Sequence, residues 1–225
     1  MTLLATLLLG FFLGVRHATD ADHVVAVSTI VGREPSRRGA LWIGAAWGVG
    51  HTATILAVGG AIVVFNLVIP ARLGLSMELT VAVMLVVLGL LNLRSAVQRL
   101  DEVTGLADHP PTLSGSRYLR PLVVGVLHGL AGSAAIALLV LGTVREPRWG
   151  FLYLGLFGVG TVVGMMLLTT AMSVPLAHAS RRFASFDRLL ARTTGLLSLA
   201  FGLYLVYRVG FVDGLFTSRP AWTPK

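Results

Sequence analysis

The sequence contains no cysteine, which excludes disulfides, thiolate metal sites and thiol redox relays. Charge is also scarce. Only 12% of the 225 residues are charged, where an ordinary soluble domain carries roughly 25%. Acidic groups are scarcest, ten against eighteen lysines and arginines. Aromatics make up 8% of the chain, and no basic stretch is interleaved with base-stacking rings. The net charge of +8 therefore does not read as a nucleic-acid surface. A cytosolic domain, a disordered chain and a disulfide scaffold all need polar or sulfur-bearing residues that are missing. What is present is apolar: 55% of residues are hydrophobic and the mean hydropathy is +0.82. This composition describes an all-α integral membrane protein, read as one transmembrane domain over 1–225.

Six apolar stretches follow one another: Thr2–Gly32, Ala40–Ile69, Leu79–Val97, Pro121–Val144, Gly150–Val174 and Leu189–Val212. Each reaches the roughly 20 residues that a helix needs to cross a bilayer core. Met1–Val15 has neither a basic leader nor a small-residue cleavage pattern before Arg16, so it is expected to be retained as part of the first span. The connections Arg33–Gly39, Pro70–Glu78, Gln98–Arg120, Arg145–Trp149 and Pro175–Arg188 are short and charged, and only Gln98–Arg120 resembles a linker. Eleven of the eighteen basic residues fall on the side of Arg33, Arg37 and Arg38, six on the other, and Arg16 lies within the first span. The positive-inside rule makes the richer side cytoplasmic and places both termini outside, in a multi-pass protein of the plasma (inner) membrane.

The chain also repeats itself. Gly14-Val15-Arg16-His17 matches Gly125-Val126-Leu127-His128 at an offset of 111 residues. Trp47-Gly48-Val49-Gly50 matches Phe157-Gly158-Val159-Gly160 at 110, and Leu88-Gly89-Leu90 matches Phe201-Gly202-Leu203 at 113. Spans one to three thus map in order onto spans four to six. The first repeat covers about 1–100 and the second about 121–212, with the 98–120 loop between them. A unit with an odd number of spans inverts when duplicated, which gives a 3+3 inverted repeat, an arrangement common in secondary transporters.

The chemistry gathers in Arg16-His17-Ala18-Thr19-Asp20-Ala21-Asp22-His23. Of the ten acids, Asp20 and Asp22 alone lie well inside a span. Each carboxylate at a helix centre costs about 2.5–3.5 kcal/mol on insertion scales. Such a cluster needs compensation or a function, and Arg16 is a candidate partner for one aspartate. On a straight helix at about 100° per residue, His17, Asp20 and His23 share one face and Asp22 points away. Gly10 and Gly14 precede the cluster and permit a distortion. His51 and His128 lie in two further spans at depths within roughly 12 Å of the first two histidines, so one site can draw on all of them. The candidate metal ligands are therefore His17, Asp20, Asp22, His23, His51 and His128. Imidazole and carboxylate without thiolate suit a divalent ion such as Ni²⁺, Co²⁺ or Zn²⁺, and disfavour Cu(I), Mg²⁺ and Ca²⁺. His109 and His178 receive no role. Trp42, Trp47, Tyr204 and Tyr207 read as interface or packing residues, and Met165 and Met166 as apolar filler.

The segment 16–23 resembles the R-H-A-x-D-A-D-H form of the H-x4-D-H signature of the nickel/cobalt transporter family. Val49-Gly50-His51-Thr52 is similar to that family's second, Gly-His-Ser-type motif. The resemblance is carried by roughly residues 10–60 and implies metal selection and uptake by His17, Asp22, His23 and His51. Members typically have eight spans with the signature in the second, whereas here it is in the first of six. Their later F-D-T-x-T-E-type element is missing. His128-Gly129-Leu130-Ala131-Gly132-Ser133 stands in its place and looks more like the related urease-accessory-type membrane proteins of the same nickel/cobalt superfamily. Since the family implicates Asp22, the helix is expected to be interrupted near Asp20–Asp22, or Asp22 to act behind the ligands.

The reading that follows is a non-enzymatic transporter of Ni²⁺ or Co²⁺. It has no cofactor beyond the transported ion, its partners are that ion and the lipid bilayer, and homo-oligomerisation is left open. The alternatives are a non-transporting accessory protein for urease-type maturation and an intramembrane metal-dependent enzyme.

Overall fold

The first apolar stretch breaks where its polar cluster lies. In the computed structural model, which describes residues 3–31, 34, 36–65, 69–103, 118–130, 146–182 and 186–222, α1 (Leu3–His17) and α2 (Ala21–Val31) are separate helices meeting at 53°. Local hydrogen bonding produces the break. The Thr19 hydroxyl donates to the Arg16 carbonyl at 2.6 Å, and the Thr19 amide donates to the same oxygen at 2.9 Å. That carbonyl is no longer left for the Asp20 amide, which turns to the His17 carbonyl at 3.1 Å. Asp20 then serves as the N-cap of α2, its carbonyl accepting the Val24 amide at 3.0 Å. Asp22 sits in the first turn of α2, where a carboxylate complements the helix dipole.

The helices that follow are α3 (Arg37–Phe65), α4 (Ala71–Val103), α5 (Leu119–His128), α6 (Pro147–Arg182) and α7 (Phe186–Tyr207), the last continuing as a π-helical turn over Arg208–Val212. No strand occurs among the described residues. Four stretches are long and apolar enough to cross a membrane, Arg37–Phe65, Ala71–Ser95, Pro147–Leu176 and Leu189–Val212, and the bent α1–α2 pair raises the number to five. The chain is thus an apolar helical protein with four to five candidate spans where the sequence reading expected six. The expected span 121–144 begins within α5, and its remainder falls among residues 131–145, outside the described ones, as does His109.

Three expected connections are shorter than anticipated. The 70–78 connection is almost wholly helix, because α4 starts at Ala71, directly after Pro70. The 98–120 linker loses its first part to α4, which runs to Val103 through Arg99-Leu100-Asp101-Glu102, residues that are mostly good helix formers. The 175–188 connection loses its first part to α6, which carries Pro175 inside the helix and ends at Arg182. Apolar patterning marks where lipid stops, and a helix can run on into water beyond that point.

The core is built from pairs of helices in close contact. α3 packs on α6, α4 on α7, α1 on α6 and α5 on α3. Glycines permit the approach, and their contacts are reciprocal. A Cβ on Gly14 would meet the backbone of Phe157, and one on Gly125 would meet the backbone of Trp47. One on Gly160 would meet the Phe11 carbonyl, and one on Gly50 the Leu122 carbonyl. On the other pair, Gly89 abuts Gly195 and Leu199, while Gly202 abuts Ala82 and Val86. Each contact is repeated by residues 110 to 113 positions away. Gly14 on Phe157 and Gly164 on Ala18 run α1 parallel to α6, while Gly44 on Met165 and Gly60 on Phe151 run α3 antiparallel to α6. Two hydrophobic clusters result. One contains Trp47 and Met165 with Val25, Val31 and Ile43, and the other contains Phe157 with Ile55, Tyr153 and Leu154.

Candidate metal site

Between the two clusters lie four histidines. His17 comes from the last turn of α1, His23 from α2, His51 from the middle of α3 and His128 from the last turn of α5. All four are buried: His23 and His128 are 0% exposed, His51 1% and His17 5%. Their rings touch. His17 and His23 have centroids 4.7 Å apart, His17 and His51 5.0 Å, His23 and His51 5.1 Å, and His23 and His128 4.1 Å.

Both aspartates orient histidines. The His17 Nδ1–H donates to Asp20 Oδ2 at 2.9 Å. Asp22 bridges two rings, accepting from His128 Nε2 on Oδ2 at 3.0 Å and from His23 Nδ1 on Oδ1 at 3.3 Å. A carboxylate that fixes one ring nitrogen as the donor leaves the other with a lone pair, which is how ligating histidines are commonly set. His23 Nε2 and His128 Nδ1 are the atoms left over by this assignment, and both are buried without a hydrogen-bond partner among the described residues, as is His51 Nδ1. Unsatisfied buried nitrogens are costly in a protein interior, and lone pairs in such number suit the binding of a cation. Two groups meet the requirements of an ion site, His17–His23–His51 and Asp22–His23–His128, with one donor atom per residue lying within 4.8 Å of the others in each group.

Over 219 residues the chain is 38% identical to the urease accessory protein UreH of Bacillus sp. (strain TB-90), covering 95% of this chain and 96% of that protein. The chain belongs to the UreH family. No family model and no solved structure matches it. The urease-accessory resemblance drawn from His128-Gly129-Leu130-Ala131-Gly132-Ser133 is therefore the one that names the family, and the broader nickel/cobalt superfamily resemblance fits it.

In this UreH-family chain the six residues expected as ligands come together, with a division of labour that a straight helix does not give. The break moves Asp22 into the site between His23 and His128, and leaves Asp20 on its rim, its side chain 40% exposed, behind His17. The expected Arg16–aspartate pair is absent among the described residues; histidines are the partners of both carboxylates. His178 is exposed on α6, away from the cluster. Two neighbours escaped the sequence reading. Trp47 lies 6.3 Å from the His23 ring and 5.8 Å from His128, and Phe157 lies 5.5 Å from His17. Their signal was the Trp47-Gly48-Val49-Gly50 and Phe157-Gly158-Val159-Gly160 match, which places an aromatic one turn before His51 and its counterpart.

Proposed function

We propose that the protein carries a divalent transition-metal ion, Ni²⁺ ahead of Co²⁺, across the plasma membrane as a transporter built from a six-span 3+3 inverted repeat. The observation that carries this reading is the buried cluster of four histidines among apolar helices, two of them bridged by Asp22. Imidazole with carboxylate and no sulfur suits Ni²⁺ and Co²⁺. Of these two the Irving–Williams order favours nickel, which is also the metal of urease, the enzyme in the name of the relative. Placing four polar rings and two carboxylates at membrane depth is expensive without a cargo to bind. The reciprocal glycine contacts support the inverted repeat, since an exchange of halves maps each onto the other. The basic excess beside Arg33, Arg37 and Arg38 supports a cytoplasmic location for that end, with the termini outside.

Uptake of Ni²⁺, Co²⁺ and Zn²⁺ into proteoliposomes of known orientation tests the proposal. Expected is metal accumulation with nickel preferred, lost in the His17→Ala/His23→Ala double variant. Full uptake by that variant would sink the mechanism. A second reading, a membrane accessory protein that binds the ion for metalloenzyme maturation without moving it, is favoured by the name of the Bacillus relative. Stoichiometric nickel binding with no uptake in either direction would establish it.

A further inference from the structure

We propose that Trp47 and Phe157 are the two gates of the histidine site, each closing it toward one end of the helix bundle. The proposal rests on the transport reading above and adds which residues seal the cargo and from which side.

Three residues at successive turns of α3, Trp47, His51 and Ile55, form one column, and Phe157, Thr161 and Met165 form the matching column on α6. All six are at most 3% exposed. The middle residue of each column is polar and the outer two are apolar. Trp47 and Met165 belong to one hydrophobic cluster, Ile55 and Phe157 to the other. Because α3 and α6 are antiparallel, the cluster with Trp47 joins the first half of α3 to the second half of α6, and the cluster with Phe157 joins the remaining halves. The clusters therefore occupy opposite ends of the bundle, with the histidine layer between them.

The rings follow the same order. Phe157 stands against His17, while Trp47 stands against His23 and His128. Each aromatic thus covers a different part of the ligand cluster. Each is also held by the helix whose histidine it covers. Gly14 packs on the backbone of Phe157, three residues before His17 on α1, and Gly125 packs on the backbone of Trp47, three residues before His128 on α5. A slide of α1 along α6 moves His17 and uncovers the Phe157 side together. A slide of α5 along α3 does the same for His128 and Trp47. The columns are related residue for residue at an offset of 110, so the two gates are one device present twice in opposite orientations.

The natural absence of cysteine makes the test direct. A Thr161→Cys reporter in the full-length chain is reconstituted in sealed vesicles and exposed to a membrane-impermeant thiosulfonate reagent from either face. Phe157→Ala is expected to speed labelling about tenfold from the face where α6 begins, and Trp47→Ala by a similar factor from the face where α3 begins. Phe157→Leu and Trp47→Phe, which keep bulk, restore slow labelling. Acceleration from the same face by both truncations, or from neither face, overturns the proposal. Where alanine costs the fold, Ile55→Cys and Ile43→Cys reporters in the otherwise native chain take its place. Both positions are buried while their side is closed, so the Ile55→Cys reporter is expected to label only from the α6-start face and the Ile43→Cys reporter only from the α3-start face as each side opens, and labelling of both from one face, or of neither, overturns the gates. Side-specific labelling without Ni²⁺ uptake upholds the gates and defeats only the transport reading. Uptake with both reporters on one face defeats only the gates.

Discussion

The Nε2 atoms of His17 and His51 face each other across 2.9 Å inside the bundle. Two neutral imidazoles can share such a contact only if one donates and the other accepts. With the Nδ1–H of His17 directed at Asp20, its Nε2 is the acceptor, so His51 Nε2–H is the donor and His51 Nδ1 is left bare. An ion between the rings would use both Nε2 lone pairs, with the His51 proton carried on Nδ1 instead. The pair is therefore bridged by a proton in one tautomer of His51 and open to a cation in the other.

Nickel binding to the purified protein, followed by calorimetry, is expected at about one ion per chain, within the two overlapping donor groups that share His23. His17→Ala or His23→Ala should weaken it by about 100-fold or more, beyond the 10–100-fold typical of losing an outer partner. Unchanged affinity in both variants would remove these rings from the site.

The two carboxylates are expected to behave differently. Asp22→Asn disturbs the donors of His23 and His128 together and should cost more affinity than Asp20→Asn, which touches His17 alone from a half-exposed position. For Asp20→Asn a loss of about tenfold is expected, at the lower end for an outer partner. A reversed ranking in parallel titrations would assign Asp20 the inner role.

Acidification should release the ion. Each ligating histidine must be neutral to offer its lone pair, so a proton taken up is a ligand lost, and affinity falls as pH falls. With more than one histidine bound, the logarithm of the affinity should change with pH at a slope above one, read from nickel titrations at several pH values. A slope of zero would mean that histidines do not hold the metal.

The glycine contacts predict a symmetric pair of defects. Gly14→Ala and Gly125→Ala each push a methyl group into backbone that cannot yield, of Phe157 and Trp47 respectively, and should lower stability by about 1–3 kcal/mol. Gly155→Ala, with nothing within 4 Å of the new Cβ, should be neutral or gain up to about 1 kcal/mol from helix propensity. Thermal unfolding in detergent separates the three. A loss at Gly155 equal to the others would mean that helix packing is not what these glycines serve.

Much of the site was legible in the sequence because lipid makes polar residues conspicuous. His17, Asp20, Asp22 and His23 stand out in an apolar run, and the family resemblance, which implicates Asp22 where a straight helix favours Asp20, makes a break one of two expectations. His51 and His128 were reachable through depth and the repeat. The carboxylate assignment was not legible, because it depends on the direction α2 takes after the break. Trp47 and Phe157 were hidden for another reason: an aromatic inside an apolar helix has no contrast with its surroundings, and only contact with the histidine rings distinguishes it. The helix ends beyond the apolar windows were missed because hydropathy measures lipid exposure, while helix length follows backbone propensity.

The 53° bend between α1 and α2 has a mechanical meaning. His17 and His23 are six residues apart, which in an unbroken helix is about 9 Å of rise, yet their rings lie 4.7 Å apart across the bend. The number of nitrogens an ion meets is therefore a function of one angle. Straightening that joint would take the donors away from the ion with no change in charge, so the backbone at Ala18-Thr19-Asp20 holds the ligand set together in the way a hinge pin holds two plates.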